Sequence, residues 1–483
     1  MRFFETSSDI GSFHAAQVGV AVVFSAGNDG PEPSIIGNVA PWAVTVAASS
    51  VDRNFPTAVV LGNNVSITGE GFIVQNMNMK LADGTKYFDD GDCSFDKWHG
   101  KSATGTIILC FSTVTSGSST LAALAILAAN GSGLIFAEPM ARLAVEVDFF
   151  PIVHVDITQG TQILYYIQSS KSPTVEIHSS VTDVGDSSAP IVAYFSSRGP
   201  SSVSPDILKP DVSAPGVNIL AAWSPKSPPS LLPIDRRSTN WNFESGTSMS
   251  CPHVSGIVAL LCSAHPDWSP AVIKSALMTT AYTRDTSLDH ILAGGTLKPV
   301  DPFDIGAGHV CPLSAIDPGL VYDMDGRDYV LFLCSLGYTQ PQIKAMVLPS
   351  PSIETRCVNR WTVSDLNYPA IVVSDLRSTV SVPRTLRNIG PTVSVYFLTS
   401  IMEPKGVQVT VWPRVLVYTH HRSRASFYVT MAPVKRSRGR YGFGEIVWSD
   451  GLHSVRSPVI VRVNNVGRHA GGNPRQLNSS SSI

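Results

Sequence analysis

Ser248 stands in the run Gly246-Thr247-Ser248-Met249-Ser250-Cys251-Pro252-His253-Val254-Ser255-Gly256. Small residues lead into a helix whose apolar positions continue through Val254, Ile257, Val258, Leu260 and Leu261. A serine in the first turn of such a helix faces unpaired backbone N–H groups and the positive end of the macrodipole. Those groups favour an anionic tetrahedral intermediate, and Gly246 lets a substrate backbone come close. The chemistry would be acyl transfer through a serine nucleophile. A second polar residue, Asn28, lies in Ser25-Ala26-Gly27-Asn28-Asp29-Gly30, at the end of the apolar stretch from Val20 to Ser25. That stretch reads as a strand of a parallel sheet covered on both faces. Ligands in open α/β sheets collect beyond the carboxyl ends of strands, so Asn28 lies where chemistry is expected. The tetrapeptide alone also fits an asparagine in a glycine turn.

Together the two runs resemble the nucleophile and oxyanion motifs of the plant-type subtilisin-like serine proteases (cucumisin-like subtilases, peptidase S8). The resemblance extends through residues 191–200, 208–223, 301–310 and 315–323. It implies that Ser248 is the nucleophile and that Asn28 donates its side-chain amide to the oxyanion. It also implies peptide or protein substrates, with no cofactor and no metal. The triad of this family runs in the order Asp, His, Ser. Neither an Asp-Thr/Ser-Gly nor a His-Gly-Thr motif occurs in the sequence, which enters the family pattern midway through the catalytic domain. The expectation is an N-terminally truncated subtilase, lacking the catalytic Asp and His and inactive alone. Asp211 is structural in the family and reads as a buried turn carboxylate bonded to backbone N–H groups. His253 reads as a core histidine on the packing side of its helix, and His14 and His99 as non-catalytic. Two alternatives stay open: a non-catalytic subtilase-derived module that binds proteins, or a chaperone or inhibitor of an intact relative.

The elements that must position Ser248 and Asn28 give an α/β fold class. A partial subtilisin-like parallel-sheet domain, residues 1–74 and 181–345, surrounds an inserted α/β protease-associated (PA) domain at 75–180. The insert, a candidate homodimer surface, shows strands near 105–110, 133–137 and 151–155, with helices at 120–130, capped by Gly131, and 158–168. In the catalytic part, Asp9 to Gln17 has helical spacing ended by Gly19. Ser269-Pro270 starts another helix, with serine as N-cap and proline at N1. From 360 to 465 the hydrophobic period becomes two, which predicts an all-β fibronectin-III-like sandwich. The tail 466–483 should be disordered.

A composition of 43% hydrophobic residues and a net charge of −2 describes a globular chain with no field drawing it to nucleic acid or anionic membrane. The basic run Lys435 to Arg440 reads as a solvated loop. The longest apolar run, Leu121 to Ala129, is half the length a membrane span needs. No signal peptide is visible after Met1, although the family is extracellular, in the cell wall or apoplast. Seven cysteines without a CxxC pattern argue against structural zinc. The resemblance pairs Cys93 with Cys110 and Cys334 with Cys357. Cys251 and Cys262 read as small buried residues. Sequons occur at Asn64, Asn130 and Asn478.

Overall fold

Helix α1, Ser7–Gln17, begins where the Thr6 hydroxyl accepts the Asp9 N–H, and ends before Gly19 at φ +83°. In this computed structural model residues 3–464 are described, apart from 113–117, 140–148, 186, 231, 233, 296, 350–352 and 359. The predicted disordered tail therefore lies outside the described residues.

Strand β1, Val23–Ser25, runs parallel to β2, Val44–Ser49, and β2 runs parallel to β3, Val212–Pro215. All six residues of β2 are buried, as a continuous apolar run between two covered faces requires. The expectation for β1 needs correction. It is three residues long and half-buried throughout, because it pairs with β2 on one side and with no other strand among the described residues. After β3 comes a hairpin of β4, Ile219–Ala222, and β5, Trp241–Glu244. It delivers the chain to α2, Thr247–Ala264, and then to α3, Pro270–Thr279, with Ser269 as N-cap and proline at N1 as predicted. Val254, Val258 and Leu261 of α2 enter the main core with Val44, Val46 and Ala214, whereas Leu260 is 67% exposed. By length and composition α2 meets the measure of a membrane span, as core helices also do. One of its faces packs on the sheet, and Pro252 interrupts its hydrogen bonding.

Between β2 and β3 the chain builds a closed seven-stranded barrel. Its order is 174–177, 56–61, 66–71, 152–156, 133–138, 106–111 and 77–83, which pairs back to 174–177. Helices Ser119–Ala128 and Ile157–Ser169 belong to it. The barrel opens at Pro56, not near 75: the alternating strands Pro56–Leu61 and Ser66–Gly71 pair with each other and with barrel strands. Asn130, at φ +58°, takes the left-handed position after the first of these helices, in place of the expected Gly131.

The sandwich is a sheet of four strands against one of five, with 24 buried residues between them. One strand of the smaller sheet is β6, Leu320–Tyr322, from the segment assigned to the catalytic domain; it pairs with Val380–Asn388. Both expected disulfides are present, Cys93–Cys110 and Cys334–Cys357. Cys251, Cys262 and Cys311 are free; Cys262 is exposed and Cys251 half-buried, against the expectation of burial. Asn64 and Asn130 are exposed, and Asn478 lies outside the described residues.

Candidate active site

The sheet brings Asn28 to the N-terminus of α2 although 219 residues separate Asn28 from Thr247. The Asn28 side-chain oxygen accepts the Thr247 backbone N–H at 2.9 Å and the Thr247 hydroxyl at 2.8 Å. With its oxygen occupied twice, the amide nitrogen must face away, toward Gly246 and Ser248. A methyl group placed on Gly246 would lie 3.4 Å from Asn28 Nδ2 and 3.6 Å from the Ser248 backbone nitrogen. Both nitrogens therefore lie close to one point beside the serine. Gly246 has extended backbone, φ 161°, so its role is to keep that point open and not to allow a special conformation. Ser248 itself is exposed, in the first turn of α2.

Other bonds fix the frame. The Gly27 N–H donates to the Thr247 hydroxyl at 3.2 Å, and the Asp29 N–H donates to Ser197 Oγ at 3.1 Å. Gly27 has φ +103°, and a Cβ there would meet Ser197 Oγ at 2.8 Å, so this turn admits only glycine. From the other side, the Gly246 N–H donates to the Gly216 carbonyl at 2.8 Å and Ser250 Oγ to the Ala214 carbonyl at 3.0 Å. The helix terminus is thus tied to the end of β3. Sequence reasoning did not single out Thr247 or Ser197 as positioning groups. Thr247 lay within the motif already, and Ser197 carried no local mark.

Two readings are corrected here. His253 is exposed, with Nδ1 2.8 Å from the Met249 carbonyl oxygen, because it lies on the face of α2 away from the sheet. Asp211 is fully buried as expected, but its main partners are side chains and not backbone. It accepts from Lys209 Nζ at 2.6 Å, from the Thr45 N–H at 2.6 Å and from the Tyr368 hydroxyl, with Lys274 Nζ at 3.6 Å. Burial would push the Asp211 carboxyl up, but the two lysines outweigh it and hold it below the usual range. Burial drives the Lys274 ammonium well below its ordinary value. This cluster joins β2, β3 and α3 to the start of the sandwich; it does not touch Ser248. His309 is also buried, beside Ser213 and Ser49, and burial lowers it to about 3, so it stays neutral. Among the described residues no group of three or more His, Cys, Asp or Glu could hold a metal ion.

A parallel α/β core with an inserted barrel and a terminal sandwich thus places Ser248 beside Asn28 at the start of α2. Residues 5–295 match the Subtilase family and residues 365–461 a Fibronectin type-III domain. The chain is 55% identical over 96% of its length to subtilisin-like protease SBT3.18 of Arabidopsis thaliana, covering 60% of that protein. It is 43% identical over 94% of its length to SBT3.9 of the same plant, covering 59% of that one. The chain belongs to the subtilase family. It spans about 60% of the length of the curated relatives it matches.

Proposed function

We propose that this chain is the nucleophile-bearing part of a subtilisin-like serine endopeptidase, with Ser248 attacking the peptide carbonyl. The observation that supports this is the proximity of Asn28 Nδ2 and the Ser248 backbone nitrogen to one point at Gly246. An oxyanion held there would gain two hydrogen bonds formed only as charge develops. In the proposed mechanism a general base takes the Ser248 proton and returns it to the leaving amine, as serine chemistry at neutral pH requires. His253, the histidine nearest in sequence, is turned to its own helix carbonyl. On this reading no base is in place beside Ser248, and the chain alone is expected to be inactive. The two disulfides support an oxidising, extracellular setting. The inserted barrel is read as the PA domain and remains the candidate homodimer surface.

The test is fluorophosphonate labelling of the full chain, alone and co-expressed with the N-terminal portion of the SBT3.18 relative. Negligible labelling alone, labelling in the pair, and its loss in Ser248→Ala are expected. In subtilisin, loss of the histidine base alone lowers kcat by a factor on the order of 10⁶. Rapid labelling of the isolated chain would overturn the assignment of the base.

A further inference from the structure

The charge of this chain is divided unevenly. Residues 365–463 carry thirteen Lys and Arg against five Asp and Glu, although the whole sequence has a net charge of −2. Between Glu403 and Glu445 there is no acidic residue and there are eight basic ones. Some basic groups of the sandwich are used internally. Arg384 is buried against backbone carbonyls, and Arg387 and Arg424 approach Asp323. The densest group faces outward: Lys435, Arg438 and Arg440 are exposed, as are Arg436 and Lys405.

The loop that carries them is tied down at its base. The Val434 and Lys435 N–H groups both donate to the Gly406 carbonyl, at 2.9 and 3.0 Å. Ser437 makes three bonds to the backbone of Val463, two donated and one accepted, at 3.0 to 3.1 Å. Arg438 at φ +53° and Gly439 at φ +82° then turn the chain tightly between the basic side chains. The Gly442 backbone packs on Lys405, which brings a further cation to the same end of the sandwich. A neighbouring cleft of about 690 Å³ also contains Arg198, Lys298 and Arg462, but Asp301 and Asp304 neutralise it from within. The unbalanced charge is on the loop crest.

We propose that this crest, with Lys405, is a binding surface for a linear carboxylate-bearing polysaccharide. A fixed row of cations, with no acidic residue in its own stretch of chain, raises the local concentration of a polyanion. Nucleic acid is the less favoured occupant, because the nearby Tyr441 ring is already engaged by Arg462 at 5.2 Å and Phe303 at 4.9 Å. The disulfides also fit an oxidising setting outside the cytosol, where nucleic acid is the less accessible polyanion. The surface is independent of Ser248.

Affinity electrophoresis of the full chain in polygalacturonate, with neutral galactan as the reference polymer, tests this. The chain should be retarded by polygalacturonate alone and released by salt. Lys435→Ser/Arg438→Ser/Arg440→Ser should weaken binding on the order of 100-fold at low salt, by analogy with the worth of each basic residue at an anionic surface. Arg440→Glu alone should weaken it in the same direction should the triple variant fold poorly, and Ser248→Ala should leave it unchanged. Equal retardation of wild type and Arg440→Glu would overturn the proposal. So would equal binding to galactan, or displacement by single-stranded DNA or phosphatidylserine vesicles at lower concentration than by free polygalacturonate.

Discussion

Thr247 holds Asn28 through two donors and receives the Gly27 N–H in return, all within a site where Thr247 itself is 1% exposed. Its hydroxyl is thus both donor and acceptor in a closed set of bonds. Replacing it with an isosteric methyl leaves the Gly27 N–H unpaired and the Asn28 oxygen with one donor in place of two. An unsatisfied buried polar group costs about 1–3 kcal/mol. Thr247→Val should therefore lower the unfolding free energy from urea titration by an amount in that range, while Thr247→Ser, which keeps the hydroxyl, should restore most of it. A midpoint unchanged in Thr247→Val would show that water replaces the lost partner. The Asp211 cluster obeys the same rule with charges. Two lysines, a tyrosine and one backbone N–H surround a carboxylate that no solvent reaches, and each is needed because the others are there.

Helix α2 shows what pattern can and cannot specify at the level of an element. Its start after Gly246 and its stop at His265-Pro266 follow from the residues, but its buried face does not. Leu260 and Leu261 are adjacent and equally apolar, yet one is 67% exposed and the other 1%. Leu261→Ala should cost about 2–5 kcal/mol, as a core truncation does. Leu260→Ala should change the unfolding free energy little, within about 0.5 kcal/mol. Equal losses would mean that Leu260 is covered in solution. The partner surface decides such cases, and a single helix does not carry it. The same limit hid the first barrel strands, since the alternation in Pro56–Leu61 and Ser66–Gly71 fits a strand of either domain. The barrel strands Thr106–Phe111, Gly133–Glu138 and Ile152–Asp156 and both its helices were legible, because continuous apolar runs and capping residues bound them, whereas Met77–Asp83 and Thr174–Ile177 were not. Asn28 and Ser248 were legible as motifs. Lys274 was not, because nothing in a helical sequence marks a lysine whose ammonium ends on buried carbonyls.

At the scale of the whole molecule the sandwich and the catalytic unit are sewn together. Strand β6 lies in a sandwich sheet, the Tyr322 hydroxyl meets Ser457, and Tyr368 reaches Asp211. A further contact across this seam carries a histidine. His453 of the sandwich sits between Asp450, at 2.8 Å, and Asp317 of the segment that leads into β6, at 3.1 Å, with the Tyr396 hydroxyl at 3.4 Å. Burial opposes a charged imidazole here, but the bonds to Asp450 and Asp317 outweigh it and hold the His453 pKa above its ordinary 6.5. Burial likewise keeps the Tyr396 hydroxyl neutral by pushing it up, and Asp450 is held below the usual carboxylate range despite its own burial. A histidine raised in the folded state contributes stability that is complete below its unfolded pKa and is lost as pH rises through the folded value. The seam should therefore be tighter in acid, at about pH 5 and below the ordinary histidine value, than in alkali beyond the raised folded value. Thermal melts of wild type and His453→Gln at both values read this directly: the gap between them should be larger in acid. Asp317→Asn should shrink the acid gap, since it removes the carboxylate that spans the two units. A gap equal or larger in alkali would show that the neutral imidazole, and not its cation, holds the seam.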